Sequence, residues 1–243
     1  MSVWSRGQGI AGAGVVRGGF TLIELLVVIS IIALLLSLLL AALGVVQATA
    51  QRVPCMSNVR QLTIAWENYA ADHRGRLVRP HTGGEWDWVG NDHENRGRAA
   101  QLQGLVGQRF FDYAGDVEVY LCPADPRETY VRSYSISHFA GPGERQRMDQ
   151  IDRPSRTLVF LEEDDPRGRN ANSWVMRTDV ESWIDWPANF HPDGNIHSYA
   201  DGSARYYVYE NPETALIRSF NASATGCPDW RYFRSIYGPA QQP

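Results

Sequence analysis

The chain has 243 residues, room for one medium domain beyond a single apolar segment. Its net charge of −4 excludes a bulk attraction to nucleic acid, and no nucleic-acid partner is expected. All 23 basic residues are arginine, and the eight Trp and eleven Tyr, mostly after residue 65, are many for this length. Repeats and low-complexity tracts are absent. Residues after 50 mix short apolar runs with Gly, Pro, Asn and Asp, as a turn-rich globular domain does.

The first element is RGGFTLIELLVVISIIALLLSLLLAALGVV, residues 17–46. Phe20 to Val46 is 27 residues, roughly 40 Å of helix against a hydrocarbon core of about 30 Å. The segment is expected to cross a bilayer. The alternative is a removed secretory signal, whose apolar region is only about 7–15 residues and leads into small residues at a cleavage site. Here the polar, Gly-rich part, residues 1–19 with Arg6 and Arg17, comes first. Those arginines favour a cytoplasmic N-terminus, which sends the C-terminal domain outward. Glu24 is the anomaly, because a charge within a span is costly and is usually paired. It either snorkels at the interface or finds a cation. A cut between Gly19 and Phe20 gives Phe20 a new α-amino group one helical turn from Glu24, within reach of its own or a neighbour's carboxylate.

GGFTLIE, with Gly19, Phe20 and Glu24 at the matching positions, resembles the cleavage and N-methylation motif of the type IV pilin and type II secretion pseudopilin superfamily. The resemblance implies a leader, residues 1–19, removed by a prepilin peptidase that also methylates Phe20. It implies an inner-membrane, single-pass protein with a cytoplasmic N-terminus and a periplasmic or extracellular C-terminal domain. Its partners are then membrane lipid, an inner-membrane assembly platform and other pilin-like subunits, with Glu24 pairing to the Phe20 amine of a neighbour. The implied fold is α+β, a pilin-like lollipop: a long helix, membrane-spanning over 20–46 and amphipathic over 47–75, packed on an antiparallel sheet within a globular, β-rich domain, 76–243.

The residues after the span support the amphipathic half directly. Cys55, Val59, Leu62, Trp66 and Tyr69 fall at steps of four and three, one stripe of a helix. Pro54 should bend or interrupt it just outside the bilayer, and His73-Arg-Gly75 should end it. Residues 76–115 read as a turn-rich loop anchored by Trp86 and Trp88, then a short helix within QLQGLVGQRFFDYAG. His73, His81 and His93 lie in or near this loop, but their spacings match no compact metal-ligand pattern. VEVYLCPADP reads as a strand running into a Pro-terminated turn.

The cysteines are Cys55, Cys122 and Cys227. An outward-facing domain meets an oxidising compartment, so a disulfide is expected. Cys55, on the helix face turned to the sheet, pairs best with Cys122; Cys227 is the competitor for Cys122, or stays free. C-P-A-D is not a redox C-x-x-C, which gives an oxidoreductase no support.

SYSISHF (133–139) and RTLVFLEE (156–163) read as strands, the second well buried. EEDDPRGRN (162–170) reads as an acidic turn. Glu163, Asp164 and Asp165 are weak calcium candidates there, because the D-x-D-x-D-G loop pattern is missing; no cofactor is otherwise expected. In FHPDGNIHSYADGSARYYVYE, Asp-Gly pairs at 193–194 and 201–202 mark turns around two antiparallel strands, near 195–200 and 203–209. Nine residues separate His191 from Asp201, and the H-x9-D-G pattern, completed by Gly202, resembles a processing-associated C-terminal motif of a large group of prepilin-like proteins. SNVRQLTIAWENYA and LCPADP resemble that group's other landmarks. The group often has an arginine where Phe190 stands and a histidine where Ser203 stands. A six-residue strand spans about 20 Å, so His191 and Asp201 should lie at opposite strand ends and form no catalytic or metal pair. Asp201 and Gly202 should make the turn, and His191 should cap or hydrogen-bond the turn before its strand.

Two readings of function follow. One is a structural pilin-like subunit with no catalytic residues. The other is a membrane-tethered enzyme or carbohydrate binder, using acids and histidines of the 81–94 and 162–165 loops or exposed tryptophans as sugar-stacking platforms. Loops 76–98 and the tail SIYGPAQQP are the places expected to carry partner specificity.

Overall fold

The computed structural model describes residues 20–90, 97–140, 147–164 and 173–238. The chain divides into two compact units, one ending at Val45 and one beginning at Val46. Helix α1, Leu22–Asp72, runs through both.

In the first unit, Leu22–Leu40 is long and apolar enough to cross a membrane, and its side chains are all exposed. Nineteen residues rise about 28 Å as a helix, close to the thickness of a hydrocarbon core.

The second unit is α+β, with an antiparallel sheet at its centre. After α1 come β1 (Arg79–Thr82) and β2 (Asp87–Val89), which pair in parallel, then α2 (Arg98–Val106) and α3 (Phe111–Ala114). β3 (Tyr134–Ile136) and β4 (Leu158–Glu162) follow, then β5 (Ser182–Trp183), β6 (Gly194–Tyr199), β7 (Ala204–Val208), β8 (Ala222–Ser223) and α4 (Pro228–Tyr237). The sheet has the order β3-β4-β6-β7, all antiparallel, and β5 pairs with β8 apart from it.

The helical stripe forms one face of the core. Cys55, Val59, Leu62 and Trp66 are completely buried and Tyr69 nearly so, against Trp88, Phe110, Phe160 and Ile196. Each such aliphatic side chain contributes about 1.5–3 kcal/mol by leaving water. Thr63 on α1 meets Ser198 on β6 at 2.6 Å, hydroxyl to hydroxyl, and so satisfies two polar atoms inside this layer.

The opposite face of the sheet is covered as well. Leu158, Leu161, Trp174, Trp183, Trp186, Trp230, Phe233 and Tyr237 form a second core. Every residue of β4 and β6 is therefore buried. The pairing of β4 with β6 slips between Leu158 and Leu161. This bulge lets both leucines join the second core while Val159 and Phe160 join the first.

Several expectations are corrected. α1 continues through Pro54 without interruption. The missing N–H weakens one turn, but Arg52 is held by Asp193 and Cys55 by Cys122 on either side of it. VEVY is a 3-10 turn, Val117–Tyr120, in place of a strand, because the Asp116 side chain accepts from the Glu118 N–H and starts a tight turn. Ser235, Ile236 and Tyr237 belong to α4, with Ile236 and Tyr237 buried, so that part of the tail is core; residues 239–243 lie outside the described residues. Of the two loop tryptophans, Trp88 is buried and Trp86 stays 41% exposed beneath the Arg109 guanidinium.

Candidate functional site

The N-terminal segment is one candidate. Gly19 and the rest of residues 1–19 lie outside the described residues. Phe20 precedes α1 and is exposed. The Thr21 N–H and hydroxyl each donate to Glu24 Oε2 at 2.8 Å, while the Glu24 N–H donates to Thr21 Oγ1 at 3.2 Å. This is a reciprocal capping box, T-x-x-E, that satisfies the first donors of the helix. Sequence reasoning gave Glu24 only the interface or a cationic amine as partner; the Thr-x-x-Glu spacing just before the apolar run was the signal for this cap that it missed.

The second candidate gathers three sequence stretches that are far apart in the chain. Cys55 and Cys122 form a disulfide with Cα atoms 5.0 Å apart. Asn58, one turn along α1, donates to the carbonyls of Leu121 at 2.8 Å and Glu118 at 3.2 Å. Cys122 opens the turn of CPAD: its N–H donates to Ser133 Oγ at 2.9 Å, and the Ser133 hydroxyl donates to Asp125 Oδ2 at 2.6 Å. Arg127 then clamps Asp125 from Nε and Nη2.

His191 completes this cluster, but not as a cap on the turn before its strand. Its ring is completely buried, with Nε2 3.2 Å from Glu162 Oε1 and 3.5 Å from Cys122 Sγ. Its Nδ1 has no partner among the described residues. Glu162 is the last residue of β4 and is fully buried, so it is no part of an acidic surface turn. The Ile196 N–H donates to its Oε2 at 2.9 Å, and Asn195 Nδ2 donates to its carbonyl at 2.8 Å. Burial pushes the Glu162 carboxyl above the usual carboxylate range, against the opposing pull of His191 and the Ile196 N–H.

Asp201 and Gly202 stand at the other end of β6, in the turn to β7. Asp201 Oδ1 accepts from the Ser203 N–H at 3.0 Å and from its hydroxyl at 2.6 Å, and Gly202 takes φ +77°, which only glycine adopts freely. The turn faces Glu67 of α1, whose carboxyl is raised by its own burial and by the charge of Asp201. The earlier Asp-Gly pair serves differently. Asp193 accepts from Arg52 at 3.0 Å and from the Tyr206 hydroxyl, while a Cβ on Gly194 would clash with the Tyr207 carbonyl.

The remaining candidates are scattered. Glu163 accepts from Ser135, and Asp164 lies 3.3 Å from Arg127; Asp165 lies outside the described residues. His73 stacks on Tyr69 and shares its Nδ1 with the Tyr69 carbonyl, His81 faces His138, and His93 lies outside the described residues. Cys227 is free and buried. Sequence reasoning placed Glu162 in a solvated loop and missed its buried pairing with His191, and it missed Asp229, which is fully buried in α4.

Compared with known proteins, residues 16–40 match the family model described as the prokaryotic N-terminal methylation motif. No curated protein and no solved structure matches the chain.

Proposed function

From the premise of a prepilin-type N-terminus, we propose that this chain is a pilin-like structural subunit and not an enzyme. A prepilin peptidase cuts between Gly19 and Phe20 and methylates Phe20. The apolar half of α1 stays in the inner membrane, with the globular unit on the periplasmic or extracellular side. Neighbouring α1 helices then pack side by side in a pilus or secretion pseudopilus.

The methylation motif at residues 16–40, which overlaps an apolar helix whose side chains are exposed over Leu22–Leu40, carries this reading. Among the described residues of the chain, Glu24 is held by Thr21. A carboxylate moved into a helix bundle favours the assembled state if a cation meets it there, and the Phe20 amine of a neighbour is that cation. Glu162 and His191, the best-placed acid and base, are buried against each other inside the fold, which supports a structural role.

The test is intact mass and N-terminal sequencing of the protein expressed with and without a prepilin peptidase. The expected product with the peptidase begins at N-methyl-Phe20. A chain that begins at Met1 under both conditions would sink the proposal. In the processed chain, Glu24→Ala should abolish recovery in filaments and leave membrane insertion intact.

A further inference from the structure

We propose that Cys55, Cys122, Glu162 and His191 form a binding site for a thiophilic divalent cation of the zinc class, available when the disulfide is reduced. One donor atom from each residue lies within 4.8 Å of the other three, and all four residues are buried. A tetrahedral zinc site with sulfur, nitrogen and oxygen ligands spaces its donors by roughly 3.3–3.8 Å. His191 Nε2 already stands near that spacing, 3.2 Å from Glu162 Oε1 and 3.5 Å from Cys122 Sγ, and cleavage of the S–S bond lets the two sulfurs separate towards it. Two thiolates, an imidazole and a carboxylate are the donor set that zinc prefers over the hard cations.

The four donors come from elements fixed independently of the disulfide. Cys55 lies on the buried stripe of α1. Cys122 is held through its N–H by Ser133. Glu162 is held by Ile196 and ends a fully buried strand. The metal and the disulfide are therefore two alternative closures of one pocket. A surface depression of about 690 Å³, lined by Pro54, Asn58, Cys122 and Asp125 among others, gives a reductant or an ion a route to Cys122.

The chemistry balances with a phosphine or a dithiol as reductant. Two electrons cleave the S–S bond and two protons make the thiols, while the phosphine becomes its oxide with oxygen from water, or the dithiol becomes a cyclic disulfide. Metal entry displaces to solvent the two thiol protons and any proton held by the Glu162 carboxyl. Reoxidation by an acceptor disulfide removes two electrons from the sulfurs and expels the ion.

The experiment uses the full chain in detergent micelles with cobalt(II) as a spectroscopic stand-in for zinc. The phosphine-reduced chain should bind one equivalent, with a sulfur-to-cobalt charge-transfer band and the visible bands of tetrahedral cobalt, both erased by added zinc. The oxidised chain should show neither. Cys122→Ser should abolish the spectrum, His191→Gln should weaken binding by about tenfold or more, and Cys227→Ser should leave it unchanged. Absence of the tetrahedral bands in the reduced chain, an octahedral spectrum, or a signal that survives Cys122→Ser or is lost with Cys227→Ser overturns the proposal.

Discussion

Glu162 Oε1 and His191 Nε2 meet at 3.2 Å with neither side chain open to solvent. Glu162 ends β4 and His191 lies just before β6, the sheet's two central strands, so their contact fixes the end of β4 against the turn that enters β6. A buried polar atom stripped of its partner keeps the cost of its lost hydration. His191→Phe should destabilise the fold by about 3 kcal/mol, because Glu162 Oε1 is left buried and unpaired. Glu162→Gln keeps the shape and one hydrogen bond, and should cost about 1 kcal/mol. Urea unfolding of the full chain in detergent, followed by tryptophan fluorescence, distinguishes the two. Equal midpoints for wild type and His191→Phe would show that the contact carries no stability.

The Cys55–Cys122 bond closes a loop of 67 residues. Loop-closure entropy for that length gives about 4 kcal/mol. The double variant Cys55→Ala, Cys122→Ala should lose most of that. Its unfolding midpoint should match that of the phosphine-reduced wild type measured without metal. A double variant as stable as the oxidised protein would mean that the Asn58 and Ser133 contacts hold the same loop unaided.

How far the sequence carries can be judged from particular residues. The stripe from Cys55 to Tyr69 was legible because a helix repeats its buried face every three or four residues. The β6–β7 hairpin was legible because Asp-Gly supplies positive φ between two alternating runs. Glu162 was not legible, since an acid followed by three more reads as a solvated turn, and the partners that make its burial tolerable, His191 and the Ile196 N–H, lie far along the chain. The second core was missed because Trp174, Trp183 and Trp186 lie on short irregular segments without periodicity. α4 could have been found: Pro228 in its first turn, Trp230, Phe233 and Tyr237 on one face and Gly238 behind it are the ordinary signs of a short amphipathic helix.

His197 is buried among Tyr199, Tyr232 and Phe233, and burial together with the charge of Arg205 lowers its pKa to about 3. Its Nε2 lies 2.8 Å from the Tyr232 hydroxyl and 3.1 Å from that of Tyr199. The fold holds the ring neutral, while the unfolded chain takes a proton below the ordinary pKa of 6.5. The unfolded state therefore binds more protons between these values, and stability is full above 6.5 and falls as pH drops towards about 3. The raised pKa of Glu162 acts with the opposite sign, since its native form keeps a proton that the unfolded chain has released. The difference between wild type and His197→Gln isolates the histidine. The variant should show a shallower loss of stability from pH 6.5 downward; parallel pH profiles would refute the assignment.

Asp229 is the anchor of the C-terminal helix. Its carboxylate is fully buried and accepts four hydrogen bonds: from the Tyr207 hydroxyl at 2.8 Å, the Glu210 N–H at 2.8 Å, the Asn211 N–H at 3.1 Å and the Thr214 hydroxyl at 2.6 Å. It sits in the first turn of α4, where the helix dipole also favours a negative charge. The side chain thus ties α4 to the end of β7 and to the turn after it, and α4 in turn supplies Trp230, Phe233 and Tyr237 to the second core. Asp229→Ala strands two backbone N–H groups and two hydroxyls at once, and should cost about 3–5 kcal/mol. Asp229→Asn keeps the volume but offers one acceptor oxygen in place of two, and should cost about half of that. Amide exchange resolves the mechanism. Fast exchange confined to residues 228–237 in Asp229→Ala, with β4 and β6 still protected, is the expected pattern, because the first core and its disulfide do not depend on α4.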